Sequence, residues 1–193
     1  KDSVCGQEKD GDYFDVLNDA AKDIPAGSDG VLFLPYLTGG TNDVKEATGC
    51  FLNMTLDTDQ ATLWHAVLEA IGYDYMEITD LYRGAGVDMS RITITEGGSR
   101  SEIWNQMKSD MLGSEVITLK NAGGAVVTDC IVGAYALGHI TDMKAALTES
   151  LEIKKLYYTN AENHDFYAKQ YALQKKLVKQ DMKEAFHTLK ALH

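Results

Sequence analysis

A chain of 193 residues that is 45% hydrophobic and 24% charged, with only two prolines, can bury one sizeable core, which excludes a disordered or low-complexity polypeptide. Eighteen basic against 29 acidic residues leave a net charge of −11, which argues against broad binding to nucleic acid or to an anionic membrane while leaving room for a local phosphate pocket. Apolar runs such as Val31 to Leu34 fall far short of the about 18–20 residues a bilayer span needs, and Cys5, Cys50 and Cys130 stand far apart without a CxxC pairing, the pattern of free thiols in a reducing cytoplasm.

Tyr13, Phe14, Val16, Leu17, Ala20, Ala21 and Ile24 recur at helical spacing up to Pro25 and predict a short amphipathic helix. Pro25 to Gly30 is a turn cluster, Val31 to Leu37 a buried strand, Gly39 to Asp43 a further turn and Gly49 to Met54 a second strand, which as a sequence neighbour would pair antiparallel with the first. Asp57 and Gln60 start a long predicted helix, with Leu63, Val67, Ala70, Ile71, Ile78 and Leu81 on one face and Gly84-Ala-Gly86 at its end. Arg91 to Thr95 reads as a strand, Glu96-Gly-Gly98 as a tight turn, and Ser99 to Met111 as a helix closed by Gly113. Glu115 to Leu119 is a strand and Asn121 to Val127 a Gly-rich connection. Helices are then expected over Thr128 to Leu137, Asp142 to Leu151 and, with a stripe of Phe166, Tyr167, Tyr171, Gln174, Leu177, Val178, Met182 and Phe186, over Glu162 to Leu192. No internal repeat or long linker divides the chain, so residues 1–193 are expected to form a single α/β domain.

The segment Ile92 to Trp104 concentrates the chemistry: a strand, a Gly-Gly turn and a helix start, where backbone N–H groups and a partial positive charge suit a phosphate or ribose. The same residues also read as an ordinary strand-to-helix turn in which Ser99 and Glu102 form a capping box, because neither GxGxxG nor a Walker A pattern is present. Gly123-Gly124 ahead of the next helix is a second turn of this kind. His65, His139, His164, His187 and His193 contain no HExxH or i,i+4 pair, so no protein metal site is expected. No GxSxG elbow supports hydrolase chemistry, and Trp64 and Trp104 read as core or groove-lining residues.

The runs Leu32 to Gly39, Ala47 to Leu56, Trp64 to Tyr73 and Glu96-Gly-Gly-Ser-Arg-Ser-Glu-Ile-Trp-Asn-Gln-Met-Lys-Ser-Asp110, in that order, resemble the C-terminal lobe of FGGY carbohydrate kinases, and within them the xylulokinase branch. The resemblance implies an actin-like, ribonuclease H-like ATPase lobe with a mixed sheet, in which Gly97, Gly98, Ser99 and Glu102 bind the adenosine end of MgATP. It further implies that, in a whole enzyme, this lobe would serve an ATP-dependent kinase that phosphorylates a hydroxyl of a pentulose or polyol. Ser101, Trp104 and Gln106 match the family string as well, whereas related kinases often carry Asn where Glu102 stands. Gly40 to Gly49 is shorter than the family's segment and lacks its Arg and Pro, which makes this an outlying branch whose sugar is left open.

The family's phosphate hairpin, most of its sugar site and its catalytic Asp belong to an N-terminal lobe. The start Lys-Asp-Ser without Met therefore leads to the expectation of a piece of a longer kinase, inactive by itself. Asp10 and Asp12 stand too near Leu34-Pro-Tyr36 to be that Asp, so no catalytic residue is assigned. Mg2+ is expected to be held mainly through ATP and the other lobe, and apolar surface left open by that lobe would let two copies associate as a homodimer. The alternative expectation is a standalone actin-like nucleotide-binding or interaction module without kinase activity.

Overall fold

Residues 13–40, 44–95, 97–120 and 124–191 are described by the structure, a computed structural model. The first helix, α1 (Tyr13–Ala21), buries Leu17 and Ala21 and stops short of Pro25, which has no N–H to donate to a further turn. The turn that follows is left-handed. Gly27, Ser28, Asp29 and Gly30 have φ of 92°, 50°, 51° and 88°, a region that strains the two non-glycine residues unless their surroundings hold them. β1 (Leu32–Leu34) and β2 (Cys50–Leu52) pair antiparallel, with Phe33 opposite Phe51 and the two rings stacked at 4.5 Å. β1 ends earlier than the apolar run predicts because Pro35 cannot continue a ladder.

The long helix α2 (Gln60–Gly84) starts two residues beyond the expected Asp57 cap. Asp59 is the cap, and its Oδ1 accepts from the Thr62 N–H at 2.8 Å and from the Thr62 hydroxyl at 2.9 Å. Its buried side carries Ala66, Leu68, Ala70, Tyr73 and Met76, while Ile78 and Leu81, expected on the inner face, are exposed. The difference follows from three polar residues, Thr62, His65 and Glu69, that turn inward and shift the buried stripe.

β3 (Arg91–Ile94) and β4 (Glu115–Leu119) are parallel and joined through α3 (Glu102–Leu112), and β5 (Ile153–Tyr157) adds antiparallel to the far side of β4. The sheet is therefore mixed, with a buried central strand and exposed edges. β5 has no counterpart among the predicted elements. It is a short edge strand on which only Tyr157 is buried, and its Lys154 and Lys155 leave no alternation of apolar and polar residues to read. Residues expected in a Gly-rich connection already belong to α4 (Gly124–Ala136), which packs on α5 (Met143–Ser150) and leaves Val126, Val132 and Tyr135 exposed.

The expected single tail helix is two helices, α6 (Ala161–Lys176) and α7 (Lys183–Lys190), separated by a π turn over Leu177–Asp181. Beyond Tyr167 and Tyr171 of α6, Val178 in the wider turn and Phe186 of α7 are buried against Leu34 and Ala47. The largest core cluster joins Leu68, Tyr73 and Met76 of α2 with Met107, Met111 and Leu112 of α3 and with Tyr167 and Tyr171 of α6, so these three helices form the body that carries the sheet and the turns. No helix among the described residues is long and apolar enough to cross a membrane.

Candidate functional site

Between β3 and α3 the chain makes a 3-10 turn, Gly97–Arg100, before the α-helix begins at Glu102. The helix cap is Ser101, whose Oγ accepts from the Trp104 N–H at 3.3 Å, and not the expected Ser99–Glu102 box. The glycines allow one tight turn before the helix, which moves the cap two residues on and buries Ser99. Three side chains of α3 hold this turn from behind. Asn105, fully buried, donates to the Ser99 carbonyl at 2.7 Å; Lys108 Nζ lies 3.5 Å from the Gly98 carbonyl; and Trp104 packs beneath Gly98 so closely that a Cβ there would stand 2.9 Å from its Cζ3. At Gly97 a Cβ would meet nothing within 4 Å, so this residue faces open space.

That space is a cleft of about 880 Å3, within the ~300–1,000 Å3 typical of small-molecule sites. Gly97, Gly98, Arg100, Ser101 and Trp104 form one wall, Phe14, Asp15 and Asn18 of α1 a second, and Trp64, Leu68 and Ile71 of α2 the floor, with Lys154 of β5 at the rim. The aromatic residues are fixed in place: Trp64 Nε1 donates to Asn18 Oδ1 at 3.0 Å, Trp104 Nε1 donates to the Leu68 carbonyl at 3.2 Å, and Phe14 lies 5.8 Å from Trp64. The cleft thus combines flat apolar faces with two exposed cations, Arg100 and Lys154, and one carboxylate, Asp15.

The residues singled out in the sequence are placed unequally. Gly97 and Gly98 line the cleft, Ser99 is buried behind it, and Glu102 lies on the outer side of α3, where its carboxylate pairs with Lys155 at 2.9 Å in a solvent-exposed contact. Trp64 and Trp104 are groove-lining. Gly123, Glu96, Asp10, Asp12, Cys5 and His193 lie outside the described residues. Among the described residues no three His, Cys, Asp or Glu side chains gather as a metal site.

A second polar cluster had no sequence signature and lies wholly in the interior. Glu69 accepts from the Gly27 N–H at 2.7 Å, the Ser28 hydroxyl at 2.8 Å and the Tyr167 hydroxyl at 2.9 Å, and His65 Nδ1 stands 2.9 Å from Ser28 Oγ. Ser, His and Glu meet here, but Ser28 is completely buried, so the cluster clamps the strained turn to α2 and α6 rather than offering a nucleophile. Burial pushes the Glu69 carboxyl up to about 7 against its three hydrogen bonds, and pushes His65 down to about 4.

Residues 4–137 match the FGGY family of carbohydrate kinases, C-terminal domain. The chain belongs to that family. A xylulose kinase of Staphylococcus epidermidis is 29% identical over 170 residues, 87% of this chain and 34% of its own length. A gluconokinase of Bacillus subtilis is 34% identical over 140 residues, 69% of this chain and 27% of its own. The crystal structure of xylulose kinase from Rhodospirillum rubrum superposes with a TM-score of 0.75 at 24% identity, covering 96% of this chain and 36% of that one, which establishes the actin-like fold of the sugar kinases. This FGGY chain therefore spans about a third of the length of the relatives it matches.

The family string read in the sequence now has a physical account in this FGGY chain. Ser101 caps α3, Trp104 floors the glycine turn, and Gln106 donates to the Tyr158 carbonyl and to Asp110, both at 2.8 Å. Asp110 in turn accepts from the Asn160 N–H at 2.9 Å and from Asn163 Nδ2 at 2.8 Å, which fixes the start of α6.

Proposed function

We propose that this chain, folding as one domain over residues 1–193, is the nucleotide-binding lobe of an ATP-dependent carbohydrate kinase. The observation that carries the reading is the glycine turn at the head of α3, open on its cleft side at Gly97 and floored by Trp104 at Gly98. A purine and ribose fit against the Gly97–Gly98 backbone and the faces of Phe14, Trp64 and Trp104, and Arg100 and Lys154 supply charge for phosphate oxygens at the rim. Ser99 contributes through its place in the turn, and Glu102, from the first turn of α3, is the fourth residue of the set.

MgATP brings the transferable phosphoryl group and the metal charge that spreads over it. What these residues do is bind and orient the nucleotide, and orientation carries much of the barrier reduction in phosphoryl transfer. Mg2+ would be held mainly through the phosphates of ATP and the other lobe of the kinase. The acceptor is a hydroxyl of a small sugar, sugar acid or polyol, the class to which the substrates named for the xylulose kinase and gluconokinase relatives belong. The proton-accepting base is assigned to no residue of this chain.

Both tryptophans of the chain line the cleft, so their emission reports on it directly. Titration with MgATP is expected to produce a saturable emission change that Gly98→Val abolishes, since its added Cβ would displace Trp104. Loss of affinity in Glu102→Ala would place that side chain in the nucleotide set. No saturable response to any adenine nucleotide would overturn the reading. In the full-length kinase, ADP release on addition of pentuloses, gluconate or polyols identifies the acceptor.

A further inference from the structure

Among the described residues Lys108 is the only buried lysine, with 3% of its surface exposed. Its ammonium lies 3.6 Å from the centroid of the Trp104 ring and 3.5 Å from the Gly98 carbonyl oxygen, so both of its partners belong to the wall of the cleft. Trp104 is immobilised between them. Its Nε1 is tied to the Leu68 carbonyl, and the Tyr75 ring stacks on it at 6.4 Å.

On the side away from the cleft, Lys108 borders a smaller apolar groove of about 270 Å3 between α2 and β3. There α2 presents the phenols of Tyr75 and Tyr82, while β3 and the residue after it present Ile92, Thr93, Ile94 and Thr95, none of which ionises. The charged groups on the cleft side are Arg100 of the turn, Lys154 of β5 and Asp15 of α1. Holding an ammonium in such surroundings is costly, and burial brings the Lys108 amine down to about 8. An apolar side chain would fill the same place without that cost, so the charge points to a ligand that rewards it.

We propose that Lys108 is a positioning residue for the nucleotide: its charge, delivered through the Gly98 carbonyl and the Trp104 face, holds the glycine turn in place and favours an anionic ligand seated on it. This rests on the nucleotide reading above. Because an anion nearby stabilises the protonated amine, binding draws a proton onto Lys108, and affinity falls as pH rises through its titration.

The test is the affinity of the full chain for ADP and ATP between pH 7.5 and 9.5, a range in which the phosphates themselves have finished titrating. Wild type is expected to lose about tenfold in affinity across it, the scale of one charge acting over a few ångströms of protein. Lys108→Met, which keeps the stem and removes the charge, is expected to bind weakly with a flat profile. Lys108→Arg, charged throughout, is expected to bind with a flat profile near the wild-type level at pH 7.5. A purely structural lysine would not separate these profiles.

Thermal melting controls for folding, and Lys108→Met is expected to melt at or above the wild-type temperature at pH 7.5. Binding by wild type and Lys108→Met with superimposable pH profiles would overturn this inference alone. Absence of binding by wild type at every pH would overturn it together with the nucleotide reading.

Discussion

Glu69 and His65 share one hydroxyl and titrate in opposite senses. The Glu69 carboxyl moves from 4.5 up to about 7 on folding, so the folded chain holds that proton more tightly than the unfolded one. Its favourable contribution is complete below about pH 4.5 and is lost as the pH rises towards 7. His65 moves from 6.5 down to about 4, so its contribution is complete above about pH 6.5 and is lost as the pH falls towards 4. Each limb is on the order of 3 kcal/mol, and between about pH 4.5 and 6.5 their opposite pH slopes cancel. Melting temperature is therefore expected to be nearly flat over that interval in wild type and to rise with pH in Glu69→Gln.

The glutamine variant should remain folded. Its oxygen can accept from Gly27 and Tyr167 and its amide can donate to Ser28, which then donates to His65. Glu69→Ala leaves two buried donors without an acceptor and is expected to cost about 2–4 kcal/mol in denaturant unfolding. A Glu69→Gln profile parallel to wild type would show that another group titrates in this range. The inward position of Glu69 was not legible in the sequence, where the expected apolar face of Leu63, Val67, Ala70 and Ile71 leaves it out. Nor were its partners, because Gly27, Ser28 and Tyr167 lie 42, 41 and 98 residues away and only the packing of α2 against α6 brings them together.

The elements were legible where local chemistry decides them and illegible where tertiary contacts do. β1, β2, β3, β4 and α2 follow from apolar runs and turn residues, and the Gly-Gly turn was legible as the centre of interest. The edge strand β5 and the π turn were not, because each is set by contacts between elements distant in sequence, and the cap of α3 was displaced by a 3-10 turn that the glycines admit without announcing it. α1 was legible as a helix from its apolar spacing, but that it and β5 wall the cleft was not, because contacts between distant elements decide it.

Asp110 illustrates such a contact. One carboxylate joins α3 to the first turn of α6 through the Asn160 N–H and the Asn163 amide. Asp110→Asn forces two amide groups to face each other or gives up a bond, and is expected to lower stability by about 1–3 kcal/mol, measured by urea unfolding. Glu102→Ala removes only a solvent-exposed pair with Lys155, so its melting temperature should match wild type whatever its effect on nucleotide.

For the whole molecule, the fold and family were both within reach of the sequence, because the GGxxSxxWxQxxxD string encodes a packing unit and not only a site. Ser101, Trp104, Gln106 and Asp110 each make a specific structural bond, and together they suspend the glycine turn at the edge of a cleft. The net charge of −11 does not oppose an anionic ligand there, since Arg100, Lys154 and Lys108 concentrate positive charge around one opening. The α4–α5 pair stands apart from this arrangement, joined mainly to itself.

Amide hydrogen exchange with and without MgATP tests the central claim most directly, because it locates binding without assuming which residues matter. Slowed exchange in Tyr13–Ala21 and in residues 97–104, with α4 and α5 unchanged, is the predicted result. Unchanged exchange in both cleft walls, or protection confined to α4 and α5, would contradict it.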